Sequence, residues 1–232
     1  NLFFEDQDIT HLSEKALKDF RKEVQMVFQD PYSSLDPRMT ISTSIAEPLR
    51  TFRPDLTAQE RRTEVEDMMH RVGLDASMYN RYPHELSGGQ NQRVGIARAM
   101  INRPKLIICD EAVSALDVSI QAQIIKLLKD LQSEFGMSML FISHDLSVVR
   151  DISDRIMVLY LGRIVELSGS KAICTTPKHP YTQALISAVP IPDPVAERAR
   201  KRITLPGDLP SPLDVKAALR FLPSKLNAGQ HD

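Results

Sequence analysis

Near its middle the chain carries His84-Glu85-Leu86-Ser87-Gly88-Gly89-Gln90-Asn91-Gln92-Arg93, and soon afterwards Leu106-Ile107-Ile108-Cys109-Asp110-Glu111. The first run predicts a loop that opens a helix, with Ser87 as a capping hydroxyl. Gly88 and Gly89 allow the backbone to approach a ligand without an intervening side chain. Because unpaired N–H groups at a helix N-terminus attract anions, this loop is a candidate phosphate site.

The second run is apolar until it ends in two carboxylates, Asp110 and Glu111. This pattern is typical of a buried parallel strand whose C-terminal end carries chemistry. Taken alone, a Ser-Gly-Gly run is more often an ordinary loop, and an Asp-Glu pair is more often a solvated strand end. Because the two patterns occur a short helix apart, together they indicate a functional site much more specifically than either pattern alone.

Together these residues resemble the ATP-binding cassette (ABC) ATPases. Leu86 to Gln90 matches the signature loop of that family, and Leu106 to Glu111 matches its Walker B strand. Asn91 stands where the family often has a basic residue, and Ala112 stands where it commonly has proline. Both departures lie outside the groups that perform chemistry.

Three further segments are similar to motifs of the same family. Gln29 ends the apolar run Val24 to Phe28 and resembles the Q-loop glutamine, and Ser114-Ala115-Leu116-Asp117 matches the D-loop. His144 follows Met139 to Ile142, which we interpret as a second buried strand. Parallel strands present their C-terminal ends on one side of a sheet, so His144 is expected near the carboxylates, as the family's switch histidine.

Composition excludes several classes of protein. The 232 residues are 42% hydrophobic and 25% charged, which suits a soluble globular protein. A net charge of -1 gives no electrostatic case for nucleic acid or for an anionic membrane. Cys109 and Cys174 form neither a metal-binding spacing nor a disulfide framework, which favours a reducing compartment. No apolar run approaches the roughly 20 residues that span a bilayer.

The resemblance predicts an α/β fold of the P-loop NTPase (RecA-like) type, with an inserted α-helical subdomain. Residues 1–30 would be the remnant of the N-terminal strands with the Q-loop, and residues 31–92 the helical subdomain ending in the signature motif. Residues 93–168 would form the core with Walker B, D-loop and switch histidine, and residues 169–232 a C-terminal extension. The extension, with His179 to Leu185 and Leu205 to Pro212, resembles that of dipeptide and oligopeptide importers.

Local patterns predict several elements. Asp8 to Thr10 reads as a turn after a strand at Leu2 to Phe4, and Ser13 to Phe20 as a capped helix. Thr57 and Glu60 form a capping box. In the helix that this box opens, helical spacing predicts burial of Val65, Met68, Met69 and Val72. In a later helix, Ser119 to Phe135, the same spacing predicts an apolar stripe of Ile120, Ile124, Leu127, Leu128 and Leu131. A hairpin is expected to turn at Leu161-Gly162.

One motif of the family is missing from these residues. The P-loop, G-x-x-x-x-G-K-[ST], does not occur, and the first glycine is Gly73. The chain opens on Asn1 in a strand-like run, and the resemblance starts just downstream of where the P-loop belongs, so we expect an N-terminally truncated fragment. Many relatives carry a cysteine cluster near the C-terminus, whereas Leu213 to Asp232 has no cysteine, so no iron–sulfur or zinc site is expected there.

The resemblance implies a nucleotide-driven dimer that uses ATP and Mg²⁺. The signature residues Ser87, Gly88, Gly89 and Gln90 would bind the γ-phosphate of the ATP held by the opposite subunit. Asp110 and Gln29 would bind Mg²⁺, and Glu111 would be the general base. His144 would contact the γ-phosphate, and Asp117 would lie at the dimer seam. Implied partners are a second ATPase subunit, membrane permease subunits and, indirectly, a substrate-binding protein, without nucleic acid. The implied location is the cytoplasmic face of the inner membrane.

Two alternatives stay open at this point. The first is an ABC-type ATPase that moves no substrate, although such relatives carry coiled-coil insertions, zinc modules or a second cassette, none of which occurs here. The second, if the chain is whole as written, is a non-hydrolysing module that offers its signature loop to a competent partner. A functionless relic belongs beside it. The transported substrate, whether peptide, glutathione, nickel or a related solute, is not specified by these residues.

Overall fold

The computed structural model describes residues 1–189 and Ile203. The chain divides into two compact units, Asn1–Ser143 and His144–Asp232. The elements of the first unit are, in chain order, β1 (Phe3–Phe4), β2 (Gln7–Asp8), α1 (Glu14–Glu23), β3 (Val24–Val27), α2 (Ile41–Phe52), α3 (Ala58–Arg71), α4 (Gly88–Met100), β4 (Leu106–Asp110), α5 (Val118–Phe135) and β5 (Ser138–Ile142). Those of the second unit are α6 (Leu146–Ile152), β6 (Arg155–Tyr160), β7 (Arg163–Gly169), α7 (Ser170–Thr175) and α8 (Pro180–Ala188).

A three-stranded parallel sheet of order β3-β4-β5 is the framework of the first unit. Val27 is paired with Cys109, and Asp110 with Ile142, so the C-terminal ends of the strands lie at one edge. Ile107 and Cys109 in β4 are fully buried, as the apolar run predicted. This parallel sheet, connected by helices, agrees with the α/β class predicted from the sequence.

Helix boundaries follow the predicted caps. The Ser13 hydroxyl accepts the Ala16 N–H, and α1 continues beyond Phe20 to Glu23. Thr57 and Glu60 form both halves of the predicted capping box of α3. The predicted buried side chains of α3 and α5 are confirmed except for Ile120, which is half-buried. Gly136 ends α5 in the left-handed conformation, with φ 65°.

Besides that of Ile120, two sequence predictions need correction. The turn after the first strand lies at Glu5 and Asp6, with φ values of 47° and 65°, and Asp8 belongs to β2. Its carboxylate nevertheless accepts the Thr10 N–H at 2.9 Å, which is the local bond that made this segment look like a turn.

The strand predicted at Met139 to Ile142 is confirmed as β5, but the prediction that it is buried is wrong. Leu140 and Ile142 are each 45% exposed. The physical reason is position, because β5 is an edge strand that pairs with β4 alone among the described residues. Its exposed side chains lie on the face where their partners in β4, Ile108 and Asp110, are only half-buried, so that face is incompletely covered. An apolar run fits a covered strand and an edge strand equally well, and periodicity does not distinguish them.

The second unit is built on the antiparallel hairpin β6-β7. Its turn has Leu161 and Gly162 at φ 50° and 74°, which confirms the predicted turn. His179 caps α8 by accepting the Tyr181 N–H on Nδ1 at 3.2 Å. The predicted similarity of Leu205 to Pro212 to importer extensions, and the absence of a metal site in Leu213 to Asp232, lie outside the described residues.

Candidate functional site

The side chains of Gln29 and Glu111 meet at the C-terminal edge of the sheet. Gln29 follows β3 and Glu111 follows β4, the neighbouring parallel strand. Gln29 Nε2 donates a hydrogen bond to Glu111 Oε2 at 2.7 Å. The fold therefore joins two residues, 82 positions apart, that the sequence interpretation gave to the same chemistry.

The backbone holds Glu111 in an unusual conformation. Its φ of 46° lies in the left-handed region, which non-glycine residues rarely adopt. The Glu111 N–H donates to Ile142 O, and its carbonyl accepts the Ser114 N–H and hydroxyl, each at 3.0 Å. Three hydrogen bonds thus retain a strained backbone directly beside the carboxylate. Such strain is characteristic of functional sites.

Asp110 ends β4 beside Glu111 and is half-buried. Within the described residues no group of three or more His, Cys, Asp or Glu could hold a metal ion. Mg²⁺ needs no such cage, because it keeps several waters and takes one or two protein oxygens beside substrate phosphates. The Asp110 carboxylate and the amide oxygen of Gln29 fit that limited requirement.

Cys109, the residue before Asp110, is not a reactive group. Its side chain is fully buried, and burial raises the pKa of the thiol to about 12. The thiolate is the nucleophilic form, so this thiol is inert near neutral pH. The chemistry available at the end of β4 therefore belongs to the two carboxylates.

Helix α4 begins at Gly88 with a second capping box. Ser87 Oγ accepts the Gln90 N–H at 3.3 Å, and Gln90 Oε1 accepts the Ser87 N–H at 2.9 Å. The first four N–H groups of a helix have no intrahelical partners, and the capping box provides acceptors for two of them, those of Ser87 and Gln90. The N–H groups of Gly88 and Gly89 are the two that an anion could use.

Gly89 has a packing role that the sequence interpretation missed. A Cβ added there would lie 2.7 Å from Ile120 Cγ2, closer than real contacts allow, whereas at Gly88 it would lie 3.7 Å from Leu116 Cδ2. Gly89 thus permits close packing of α4 on α5, in addition to any approach of a ligand. Ile120 was interpreted as part of an apolar stripe, and nothing in the spacing revealed this contact.

Asp117 is the N-cap of α5. Its carboxylate accepts the N–H groups of Ser119 and Ile120, both at 3.1 Å. The loop from Glu111 to Asp117 therefore connects the strand end to the helix on which Gly89 packs. A role for Asp117 at a dimer seam stays a prediction.

His144 is the first residue of the second unit, directly after Ser143, and it is exposed. The next residue, Asp145, caps α6 by accepting the Ser147 N–H and hydroxyl. Burial acts to raise the pKa of Asp145, but these hydrogen bonds outweigh it, so the pKa is lowered. The catalytic role of His144 stays a prediction.

Polar residues along α4 attach this helix to the loop that carries Gln29. Gln92 Nε2 lies 3.5 Å from Phe28 O, and Arg98 Nη1 donates to Ser34 O at 2.6 Å. Burial lowers the pKa of Arg98, and Glu47 opposes that shift. The sequence analysis did not predict these two hydrogen bonds. Their signal in the sequence is the presence of Gln92 and Arg98 among the apolar residues of α4.

Comparisons with known proteins agree with this geometry. The family described as ABC transporter matches residues 1–114, and that described as Oligopeptide/dipeptide transporter, C-terminal region, matches residues 165–224. Among solved structures, the dimeric post-hydrolysis state of the ATP-binding cassette MJ0796, bound to ADP and Pi, is 30% identical. It superposes with a TM-score of 0.65 over 72% of this chain and 72% of that one.

Two curated relatives are more similar in sequence. The oligopeptide transport ATP-binding protein OppF of Haemophilus influenzae is 55% identical over 94% of this chain and 66% of its own length. OppF of Salmonella typhimurium is 57% identical over 93% of this chain and 64% of its own length. The chain thus spans less than two thirds of the length of these relatives.

Proposed function

The chain belongs to the ATP-binding cassette (ABC) transporter family, and on that premise we propose that it is the ATP-hydrolysing subunit of an oligopeptide importer. The observation that carries the proposal is the 2.7 Å hydrogen bond from Gln29 to Glu111 at the carboxyl edge of a parallel sheet. Open α/β sheets bind ligands at that edge. The relatives named for oligopeptide transport, and the match to the C-terminal region of peptide transporters, support the choice of substrate.

Glu111 is the proposed general base. Its carboxylate would accept a proton from the water that attacks the γ-phosphate, while the strained backbone fixes its direction. Gln29, which already donates to Glu111 Oε2, would orient the same water with its amide. His144 would donate to the γ-phosphate as negative charge develops there.

Asp110 and Gln29 would offer oxygen atoms to Mg²⁺, directly or through water. The ion supplies charge neutralisation between the β- and γ-phosphates. Asp110 is suited to this task because it ends β4 one residue before the base.

The signature loop would act on a second subunit. The N–H groups of Gly88 and Gly89, at the N-terminus of α4, would bind the γ-phosphate of ATP held by the partner ATPase, with Ser87 and Gln90 fixing the loop. The similar solved cassette MJ0796 is itself described as dimeric and bound to ADP and Pi. Asp117 would lie at the seam between the two subunits.

The proposed subunit is attached to a membrane through its partner proteins. No helix in the described part of the chain has the length and apolar character to cross a bilayer. Attachment to the cytoplasmic face of the inner membrane would come through permease subunits, to which an external substrate-binding protein delivers the peptide.

The test uses the full-length protein purified from membranes with whatever it binds. We expect ATP hydrolysis that rises when a peptide-loaded binding protein is added to the complex in vesicles, together with uptake of labelled peptide. Hydrolysis without peptide uptake would retain the ATPase and reject the importer. Absence of hydrolysis from the intact complex would reject both.

A further inference from the structure

Two consecutive polar side chains near the start of α4 are almost completely buried. Asn91 and Gln92 are 0% and 1% exposed, whereas the other buried residues of this helix are glycine or apolar. Burying an amide is unfavourable unless its hydrogen-bonding groups find partners. The partners that these two side chains use therefore indicate what the residues do.

Asn91 contacts the segment that leads into the signature loop. Its Nδ2 donates to Pro83 O at 2.9 Å and lies 3.4 Å from Leu86 O. These carbonyls bracket the short 3-10 turn Pro83–Glu85, and Leu86 immediately precedes the N-cap Ser87. Asn91 Oδ1 has no hydrogen-bond partner within the described residues. The amide is therefore present for its donor group, despite a buried acceptor that stays unpaired.

Gln92 points to a different neighbour, because adjacent residues of a helix lie about 100° apart around its axis. Its Nε2 approaches the carbonyl of Phe28, the residue before Gln29. One side chain thus contacts the approach to the signature loop, and the next contacts the strand end that carries the Gln29–Glu111 pair.

We propose that Asn91 and Gln92 are positioning residues that hold the signature loop in register with Gln29 and Glu111. Asn91 fixes the direction in which the chain enters Ser87, and hence the direction of the N–H groups of Gly88 and Gly89. Gln92 links the same turn of α4 to the loop of Gln29. The inference rests on the proposed function, because this register matters only if the loop serves the partner's ATP while Gln29 and Glu111 of the same chain serve its own.

The test compares Asn91→Leu with Asn102→Leu in the full-length protein. Leucine branches at Cγ as asparagine does but has no donor, and the Asn102→Leu control accounts for its larger size. Asn102 is the matched control because it lies just after α4 and its buried amide atoms have no hydrogen-bond partner in the described part of the chain. Hydrogen exchange measured by mass spectrometry reports on the Ser87 and Gln90 amides, which the capping box protects.

In Asn91→Leu we expect these two amides to exchange about 10-fold faster, since losing the partner of a buried carbonyl costs roughly that factor. In the intact complex, kcat for ATP should fall about 10-fold while KM stays within about twofold, because the contact between the loop and the partner's γ-phosphate would be strongest in the transition state, where negative charge develops. Asn102→Leu should change neither quantity. Gln92→Leu should speed exchange in the segment that follows Phe28.

Unchanged exchange at Ser87 and Gln90 in Asn91→Leu would overturn the proposal, whatever the turnover. Faster exchange along the whole of α4, with a similar effect in Asn102→Leu, would also overturn it, because that result indicates general loss of packing. If the wild-type complex hydrolyses no ATP, the proposed function fails, and the exchange comparison alone then decides whether Asn91 holds the loop.

Discussion

Gly89 shows how one residue can serve packing and binding together. Its missing side chain admits Ile120 Cγ2 to a position 2.7 Å from where a Cβ would lie. We predict that Gly89→Ala destabilises the protein by about 1–3 kcal/mol, the usual result of forcing an extra methyl group into a packed contact. The free energy of unfolding from urea titration measures this effect.

Gly88→Ala is the matched control for that variant. Its Cβ would meet Leu116 Cδ2 at an ordinary 3.7 Å, so stability should stay within about 0.5 kcal/mol or increase slightly, since alanine favours helix. Ile120→Ala combined with Gly89→Ala should recover most of the loss that Gly89→Ala adds. Equal effects of the two glycine substitutions would contradict the packing explanation.

The two cysteines differ in environment, and this gives a second residue-scale prediction. Cys109 is buried with its pKa raised to about 12, so at about pH 8 only roughly one thiol in ten thousand is ionised. Cys174 is half-buried. Iodoacetamide should label Cys174 within minutes and leave Cys109 unlabelled until the protein is denatured. Rapid labelling of native Cys109 would show that β4 is not buried as described.

At the scale of elements, α8 depends on a titratable cap. His179 is 5% exposed and accepts the Tyr181 N–H on Nδ1, a bond that requires the unprotonated nitrogen. Burial lowers the pKa of His179 below its usual 6.5, and the negative charge of Glu166 only partly opposes this. The unfolded chain therefore takes up the proton first, and stability is lost as the pH falls below about 6.5 and through the native pKa.

His179→Asn tests this dependence because asparagine retains a capping acceptor without titrating. Between about pH 7.5 and 5.5 the wild type should lose more free energy of unfolding than the variant, as measured by urea denaturation followed by circular dichroism. Burial acts to raise the pKa of Glu166, but hydrogen bonds from the Lys178 and His179 N–H groups lower it, so its contribution is lost only at more acidic pH. Equal losses in both proteins would contradict the role of His179.

Elements with local signals could be predicted from the sequence. The caps at Ser13 and Thr57 and the turn at Leu161-Gly162 each depend on neighbouring residues, so reading the chain locally was sufficient. Exposure of β5 could not be predicted, because it depends on which strands lie beside it rather than on its own apolar residues. The same limit applies to the site, where motifs identified Gln29 and Glu111 but their hydrogen bond follows only from the register of β3 and β4.

At the scale of the whole molecule, the fold is connected to the chemistry through α4. Its N-terminus carries the signature loop, and its Gln92 and Arg98 side chains contact the carbonyls of Phe28 and Ser34, on either side of Gln29. A net charge of -1 leaves the surface without a strong overall bias toward anionic partners. Recognition of a partner must then depend on shape and on local groups.

The central claim is that Glu111 is the base for ATP hydrolysis, and Glu111→Gln in the full-length complex tests it most directly. Because glutamine has the same shape but accepts no proton, we predict that turnover at saturating ATP falls at least about 100-fold. ATP affinity should stay within about threefold, and Glu14→Gln, an exposed carboxylate in α1, should hydrolyse ATP like the wild type. Undiminished hydrolysis by Glu111→Gln would contradict the account.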